Sequence, residues 1–382
     1  MLNIKSGYHI RGLDGLRFIG SLIILIHHIE RVKILFDVPS MRGFLTETGA
    51  GHTTMTLFFV LSGFLITYIL LTEKIKTNTI SIKNFYIRRI SRIWPVYYIL
   101  LILVFTMFVH LKYFQILHPL KGIQEDYSIN FLLCFFHLSN FQPFFATGIF
   151  LVSHFWSMSV EEQFYAFWPW VVKKTKKYVK IFLIIILVKV SIKLLIAISY
   201  RVIPLSVEQI AFMWKIEHFL FKLRFESFAF GGIAAYCFIT NKQAVLNFVY
   251  KPWVQWLNMG LLALSMPINN MTETIHVFYS VSFAILILNM AGNPSAIFSL
   301  NNKYTDYLGK ISYGIYMYQI PILIVLLNLF IPYYTEKNNL AWNITLYFFS
   351  FFTTIFISIL SYEFMEKKII KWAKNKTDAQ LD

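Results

Sequence analysis

Ten runs of apolar residues punctuate the chain, near 16–36, 54–72, 93–110, 155–172, 181–200, 225–240, 253–268, 275–291, 312–332 and 342–362, and polar, mostly basic connections separate them. Each run approaches the ~20 residues that carry a helix across a ~30 Å hydrocarbon core. The pattern predicts an all-α integral membrane protein, a bundle of about ten transmembrane helices. A further apolar stretch at 130–150 raises an eleventh crossing, but that crossing would move the Lys173–Lys180 cluster to the outer face. Charge therefore argues for an outward-lying or re-entrant segment there.

The same rule sets the sidedness. With the N-terminus inside, Lys5, Arg11 and Arg17, the basic clusters at 74–92 and 173–180, and the Lys-rich tail at 363–382 all face the cytoplasm. The outer segments hold fewer cations, among them Arg31, Lys33, Arg42, Arg201 and Arg224. Both termini are expected to be cytoplasmic, and residues 1–382 are expected to form a single multi-pass domain in the inner (cytoplasmic) membrane. No small-residue cleavage site follows the first run, which reads as a retained span.

Composition agrees: 57% of residues are apolar, 18% aromatic and only 14% charged. The net charge of +16 would suit nucleic acid if it formed one patch, but apolar runs interrupt it, so no nucleic-acid partner is expected. The two cysteines, Cys134 and Cys237, form no CxxC pair, and no metal site is expected.

Several polar groups fall inside or beside the apolar runs, where ionisable residues mark reaction or transport pathways. Arg17 and His28 are eleven positions apart, three helical turns plus about 20°, so they share a face yet stand roughly 16 Å apart along the axis. Each needs its own partner, and Asp14 is spaced to pair with Arg17. Arg88, Arg89 and Arg92 precede the third run at helical spacings, a cluster suited to bidentate binding of phosphate. Sidedness alone would also explain them. In the segment from His154 to Tyr165, Ser157, Glu161 and Tyr165 lie four apart on one face, with Ser159 and Glu162 beside them. Glu161 reads as an acid, a base or an orienting group, or as the structural partner of a buried cation. Arg224 with Glu226, and Ser312, Tyr313 and Tyr316, begin two further runs. Structural pairing is the favoured role of the first group and interfacial anchoring of the second.

Taken in order, five of these strings resemble the membrane acyltransferase 3 family. They are Asp14-Gly-Leu-Arg17 with His28, Phe58-Phe59-Val-Leu-Ser62-Gly63, Arg89-Ile-Ser-Arg92, Phe155-Trp156-Ser157-Met-Ser159-Val-Glu161-Glu162-Gln163-Phe-Tyr165, and Ser312-Tyr313-Gly314-Ile-Tyr316. The resemblance runs from Gly12 to about Lys368. It implies a ten-helix enzyme that takes an acyl group, often acetyl, from cytosolic acyl-coenzyme A and places it on a surface glycan. Arg17 and His28 match the family's essential pair, and Arg89 and Arg92 match residues that handle the donor. Where relatives often carry a histidine after the Ser-Tyr-Gly-Ile-Tyr string this chain has Gln319, and no catalysis is assigned there. Many relatives also fuse a soluble hydrolase-like domain, so this chain is expected to act alone or to pass its acyl group to a separate protein.

The resulting expectation is an O-acyltransferase with His28 as general base, Arg17 and Glu161 in the catalytic group, and Arg88, Arg89 and Arg92 on the coenzyme A phosphates. Asp14, Ser157, Ser159, Glu162, Tyr165, Arg224, Glu226, Ser312, Tyr313 and Tyr316 stand in support. The acceptor is a cell-surface glycan or its lipid-linked precursor. The alternative is a non-enzymatic transporter or flippase for a glycan, lipid or acyl group, built on the same buried charges.

Overall fold

The computed structural model describes residues 10, 12–40, 49–116, 126–265 and 273–378. Lys5, Arg11 and Arg42, three of the cations that set the expected sidedness, lie outside the described residues. Those described form helices and no strand. In chain order they are α1 (Leu13–Ile34), α2 (Ala50–Thr77), α3 (Ile82–Thr106), α4 (Tyr127–Phe135), α5 (Gln142–Phe145), α6 (Phe155–Lys174), α7 (Tyr178–Val202) and α8 (Val207–Leu223). Then come α9 (Phe225–Ile239), α10 (Gln243–Val249), α11 (Pro252–Ser265), α12 (Glu273–Gly292), α13 (Lys303–Phe330), α14 (Asn339–Ser361) and α15 (Lys367–Asp378).

Among the described residues, all ten predicted runs fall on helices; 266–268, the end of the run at 253–268, lie outside them. Six helical stretches are long and apolar enough to cross a membrane: Ala50–Thr77, Ile82–His110, Tyr178–Val202, Ile275–Gly292, Lys303–Tyr333 and Asn339–Thr377. The other four runs fold as α1, α6, α9 and α11.

Helix starts are earlier than hydrophobicity implies, because caps rather than apolar residues set them. α3 begins at Ile82, with the Ser81 hydroxyl accepting from the Asn84 amide, so the arginine cluster is already helical. α13 begins nine residues before Ser312, where the Asn302 side chain accepts from the amides of Tyr304 and Thr305 at 3.0 Å each. The connection at 201–224, read as polar, contains α8, opened by a reciprocal Ser206–Gln209 capping box. The stretch at 130–150 is broken into short helices, the longest nine residues, and forms no single crossing. The described part of the basic tail is helical as well, a π turn at Tyr362–Glu366 running into Lys367–Asp378.

Two close helix crossings organise the bundle. α2 meets α9 through Gly63 and Gly231: a Cβ at Gly63 would stand 2.2 Å from the Phe228 carbonyl oxygen, and one at Gly231 2.0 Å from that of Val60. α1 meets α13 at Gly309, where a Cβ would stand 2.3 Å from the Asp14 carbonyl oxygen. Backbones this close exploit small residues, which gain packing where lipid offers no hydrophobic drive. The second crossing brings the Arg17 end of α1 against the start of α13.

Candidate active site

Five helices enclose a pocket at the Arg17 end. α1 gives Arg17, α2 Phe58 and Ser62, α3 Arg89 and Arg92, α6 Ser157, Glu161 and Tyr165, and α13 Ser312, Tyr313 and Tyr316. The pocket holds about 680 Å³ of empty space, part of it open to the surroundings.

One wall is a hydrogen-bonded acid. Tyr165 Oη donates to Glu161 Oε2 at 2.7 Å, and Ser62 Oγ donates to Glu161 Oε1 at 3.1 Å. The other wall is cationic. Arg17 Nη1 donates to Asp14 Oδ1 at 2.6 Å, which realises the local pair expected from the sequence. The Arg89 guanidinium lies 5.6 Å from the centre of the Tyr165 ring and 5.8 Å from that of Phe85, contacts that hold its plane. Arg17, Arg89 and Arg92 bear on one another electrostatically, and Arg17 and Arg89 also bear on Glu161. Three guanidiniums thus converge, with the carboxylates of Asp14, Glu161 and Glu366 bearing on them. Their planar forks suit bidentate binding of a polyanionic ligand.

The α13 tyrosines line the pocket as well. Tyr313 Oη donates to the Ile93 carbonyl at 2.8 Å. Tyr316 Oη reaches the His154 carbonyl at 2.9 Å and the Ser157 hydroxyl at 2.6 Å, while Ser312 Oγ donates to the Gly309 carbonyl at 2.8 Å.

His28 lies one layer beyond. Its ring is 6.5 Å from that of His154, which meets the Tyr316 ring at 5.3 Å. Gln319 bears on the His28 side chain electrostatically, and the His27 ring is 5.6 Å from that of His28. Glu161 hydrogen-bonds within the pocket and not to His28. Polar side chains therefore run in sequence from Glu161 and Arg17, through Tyr316 and His154, to His28 and His27. Past them, His52 receives Arg224 Nη2 at 3.2 Å.

The remaining residues singled out from the sequence stand elsewhere. Arg88 reaches Glu73 at 3.4 Å and does not line the pocket, since adjacent residues on a helix diverge by 100°. Ser159 bonds Ser139 at 2.7 Å, and Glu162 accepts from Trp94 Nε1 at 3.3 Å. Glu226 pairs with Lys189 at 2.6 Å, and Arg224 donates to the His52 carbonyl at 2.6 Å.

Sequence reasoning missed Ser62, His154 and Gln319 as members of the site. Ser62 stands inside one of the five family-like strings and Gln319 three residues after Tyr316, one helical turn, so both carried a signal. His154 reaches the site only through the long-range meeting of α6 with α13.

The chain matches the family Acyl_transf_3, an acyltransferase domain, over residues 10–363. It is 28% identical over 382 residues to a Staphylococcus aureus (strain COL) protein provisionally named an O-acetyltransferase, covering 95% of this chain and 57% of that one. It is 26% identical over 398 residues to the peptidoglycan O-acetyltransferase OatA of Listeria monocytogenes, covering 96% and 56%. A Bacillus subtilis protein provisionally named a peptidoglycan O-acetyltransferase is 25% identical over 406 residues, covering 96% and 56%. The chain thus spans little more than half the length of these relatives. No solved structure matches it.

Proposed function

Because the chain belongs to the acyltransferase 3 family, we propose that it is an integral membrane O-acyltransferase moving an acyl group, acetyl in the first instance, from acyl-coenzyme A to a hydroxyl of a cell-surface glycan or its lipid-linked precursor. The observation that carries this reading is the order of the polar groups: an arginine-rich pocket at one end of α1, then tyrosines, then the layer of His154 and His28. In this reading the bundle crosses the cytoplasmic membrane ten times, with the Arg17 end and both termini inside.

The donor binds by its phosphates to Arg89 and Arg92, with Arg17 adding charge and Glu161 turned away by Ser62 and Tyr165. Arg88 takes no part, being held by Glu73. In the transfer step the acceptor oxygen attacks the thioester carbonyl carbon, the C–S bond breaks, and His28 takes the hydroxyl proton. The thiolate is a good leaving group near neutral pH and needs little acid help. Gln319 positions the base in this reading: its Nε2 donates to the Tyr316 carbonyl at 2.9 Å, its Oε1 and His28 Nδ1 are both buried without a partner, and pairing of the two during the reaction keeps the Nε2 lone pair of His28 for the acceptor.

The test is the purified protein in lipid nanodiscs with acetyl-coenzyme A and cell-envelope glycan. Base-labile acetyl ester on the glycan, found by mass spectrometry and lost in His28→Ala at equal protein, is the expected result. Glycan that stays unmodified while crossing vesicle membranes would replace this reading by transport.

A further inference from the structure

At the end of α1 remote from the pocket, two cations bear on one another electrostatically. Arg31 is exposed in the last turn of α1, and Lys222 is half-buried in the last turn of α8. Both also bear on His52, and Arg31 on His28. Among the described residues neither forms a hydrogen bond or ion pair. The nearby carboxylates are committed elsewhere, Glu30 to Lys33 at 2.9 Å and Tyr347 at 2.7 Å, and Glu226 to Lys189. On α8 itself, Glu217 accepts from Tyr200 at 3.4 Å. Burial and the charge of Arg31 bring the Lys222 ammonium down to about 8, as befits a cation under the influence of another.

An aromatic ring completes the cluster. Lys222 Nζ stands 5.8 Å from the centre of the half-buried Trp156 indole, at the start of α6. Arg224 Cζ lies 5.8 Å from the same ring, but Arg224 is fully buried and spends its N–H groups on His52, Thr56 and Phe221. It is therefore the support, and Lys222 and Arg31 are the available charges.

We propose that Arg31, Lys222 and Trp156 form a subsite for an acidic saccharide, a sugar bearing a carboxylate or a phosphate, so that the acceptor is an anionic glycan. The inference rests on the acyl-transfer reading above and specifies its acceptor. The indole packs against the apolar face of a sugar ring, and the two cations take the anionic substituent. Arg31 is three residues from His28 on α1, neighbouring positions on a helix surface. An anion held by Arg31 thereby brings a hydroxyl of its own or the adjoining sugar to the base.

Binding is measured in nanodiscs of zwitterionic lipid by microscale thermophoresis, with three probes of equal length: oligogalacturonate, neutral oligogalactan and a phosphorylated oligosaccharide. The wild-type protein is expected to bind one of the two charged probes at least tenfold more tightly than the neutral one, and which one identifies the anion. Arg31→Gln and Lys222→Gln should each reduce that preference several-fold, Lys222→Arg should keep it, and Trp156→Ala should weaken all three probes. Equal binding of charged and neutral probes by the wild-type protein overturns the proposal, whatever the variants do. So does a preference that survives Arg31→Gln and Lys222→Gln combined. An anionic lipid that copurifies with the wild-type protein but not the double variant, without any sugar preference, assigns the cations to headgroups and also overturns it. The readout needs no turnover. Absence of thiol release from acetyl-coenzyme A with every acceptor would instead remove the acyl-transfer reading.

Discussion

Gln319 bears on His28 electrostatically, and its own amide nitrogen is tied to the Tyr316 carbonyl at 2.9 Å while its buried Oε1, like His28 Nδ1, has no other partner. An amide held at one end presents a fixed oxygen at the other, and such an oxygen sets which imidazole nitrogen keeps its proton. Gln319→Leu is expected to slow acyl transfer about tenfold, the ~1.4 kcal/mol of a lost hydrogen bond, with KM for the donor unchanged. His28→Ala should cost about 10²–10⁴-fold. In the His28→Ala background Gln319→Leu should add nothing, because its effect passes through the imidazole. A further loss in the double variant would show that Gln319 acts on its own.

Arg88 and Arg89 are adjacent in sequence but face different partners, one on Glu73 and the other in the pocket. Arg89→Ala should raise KM for acetyl-coenzyme A about ten- to a hundredfold, matching ~1.5–3 kcal/mol for a charged hydrogen bond, while Arg88→Ala should leave it within about twofold. Initial rates over a donor titration decide this. Lysine at position 89 should restore only part of the affinity, since it loses the planar fork stacked beside Tyr165. Equal effects at 88 and 89 would mean that the whole cluster, not the pocket face, meets the donor.

The same pair shows how far the sequence could be read. Spacing placed Arg17, Glu161, Tyr165 and Arg89 among the candidates, and all line one pocket, because helical periodicity is a local property. Phase between neighbours is harder. Arg88 and Arg89, or Glu161 and Glu162, differ by 100° of rotation, and which of each pair points inward depends on the helix it packs against. Ser159 and Glu162 turned instead to the 139 loop and to Trp94. The His154–His28–Gln319 layer joins α6, α1 and α13, elements more than a hundred residues apart, and no local pattern announces such a meeting. The α8 helix is the opposite case: a Ser206-to-Gln209 capping box, a purely local signal, opens it in a connection that the pattern of apolar runs passes over.

The glycine crossing of α2 and α9 should be intolerant of even one methyl group. A Cβ at Gly231 would meet the Val60 carbonyl oxygen at 2.0 Å, and backbone cannot rotate out of the way as a side chain can. Gly231→Ala is expected to destabilise by about 1–3 kcal/mol or more. At Gly260, on α11, a Cβ would find nothing within 4 Å, so Gly260→Ala should be neutral or stabilising by up to ~1 kcal/mol through helix propensity. Thermal unfolding in detergent, followed by size-exclusion monodispersity, ranks the two. A Gly231→Ala protein as stable as the wild type would mean that the α2 and α9 backbones stand further apart than described.

Glu30 and Lys33 form a fully buried pair at the other end of α1, 2.9 Å apart, with Asn343 accepting from Lys33 at 2.8 Å and Tyr347 donating to Glu30 at 2.7 Å. Desolvating two ions makes such a pair weak as a source of net stability, yet removing one member strands the other. Lys33→Met is therefore expected to lower stability by about 3–5 kcal/mol. The combination Lys33→Met with Glu30→Gln should recover much of that loss, because no uncompensated charge then remains and the Tyr347 hydroxyl still finds an amide oxygen. Arg31 stands between these two residues in sequence but on a different face, so the double variant should keep the charged-saccharide preference assigned to Arg31. A double variant less stable than Lys33→Met alone would show that the carboxylate is held by groups other than the lysine, and that the pair is not the unit that fixes this end of α1.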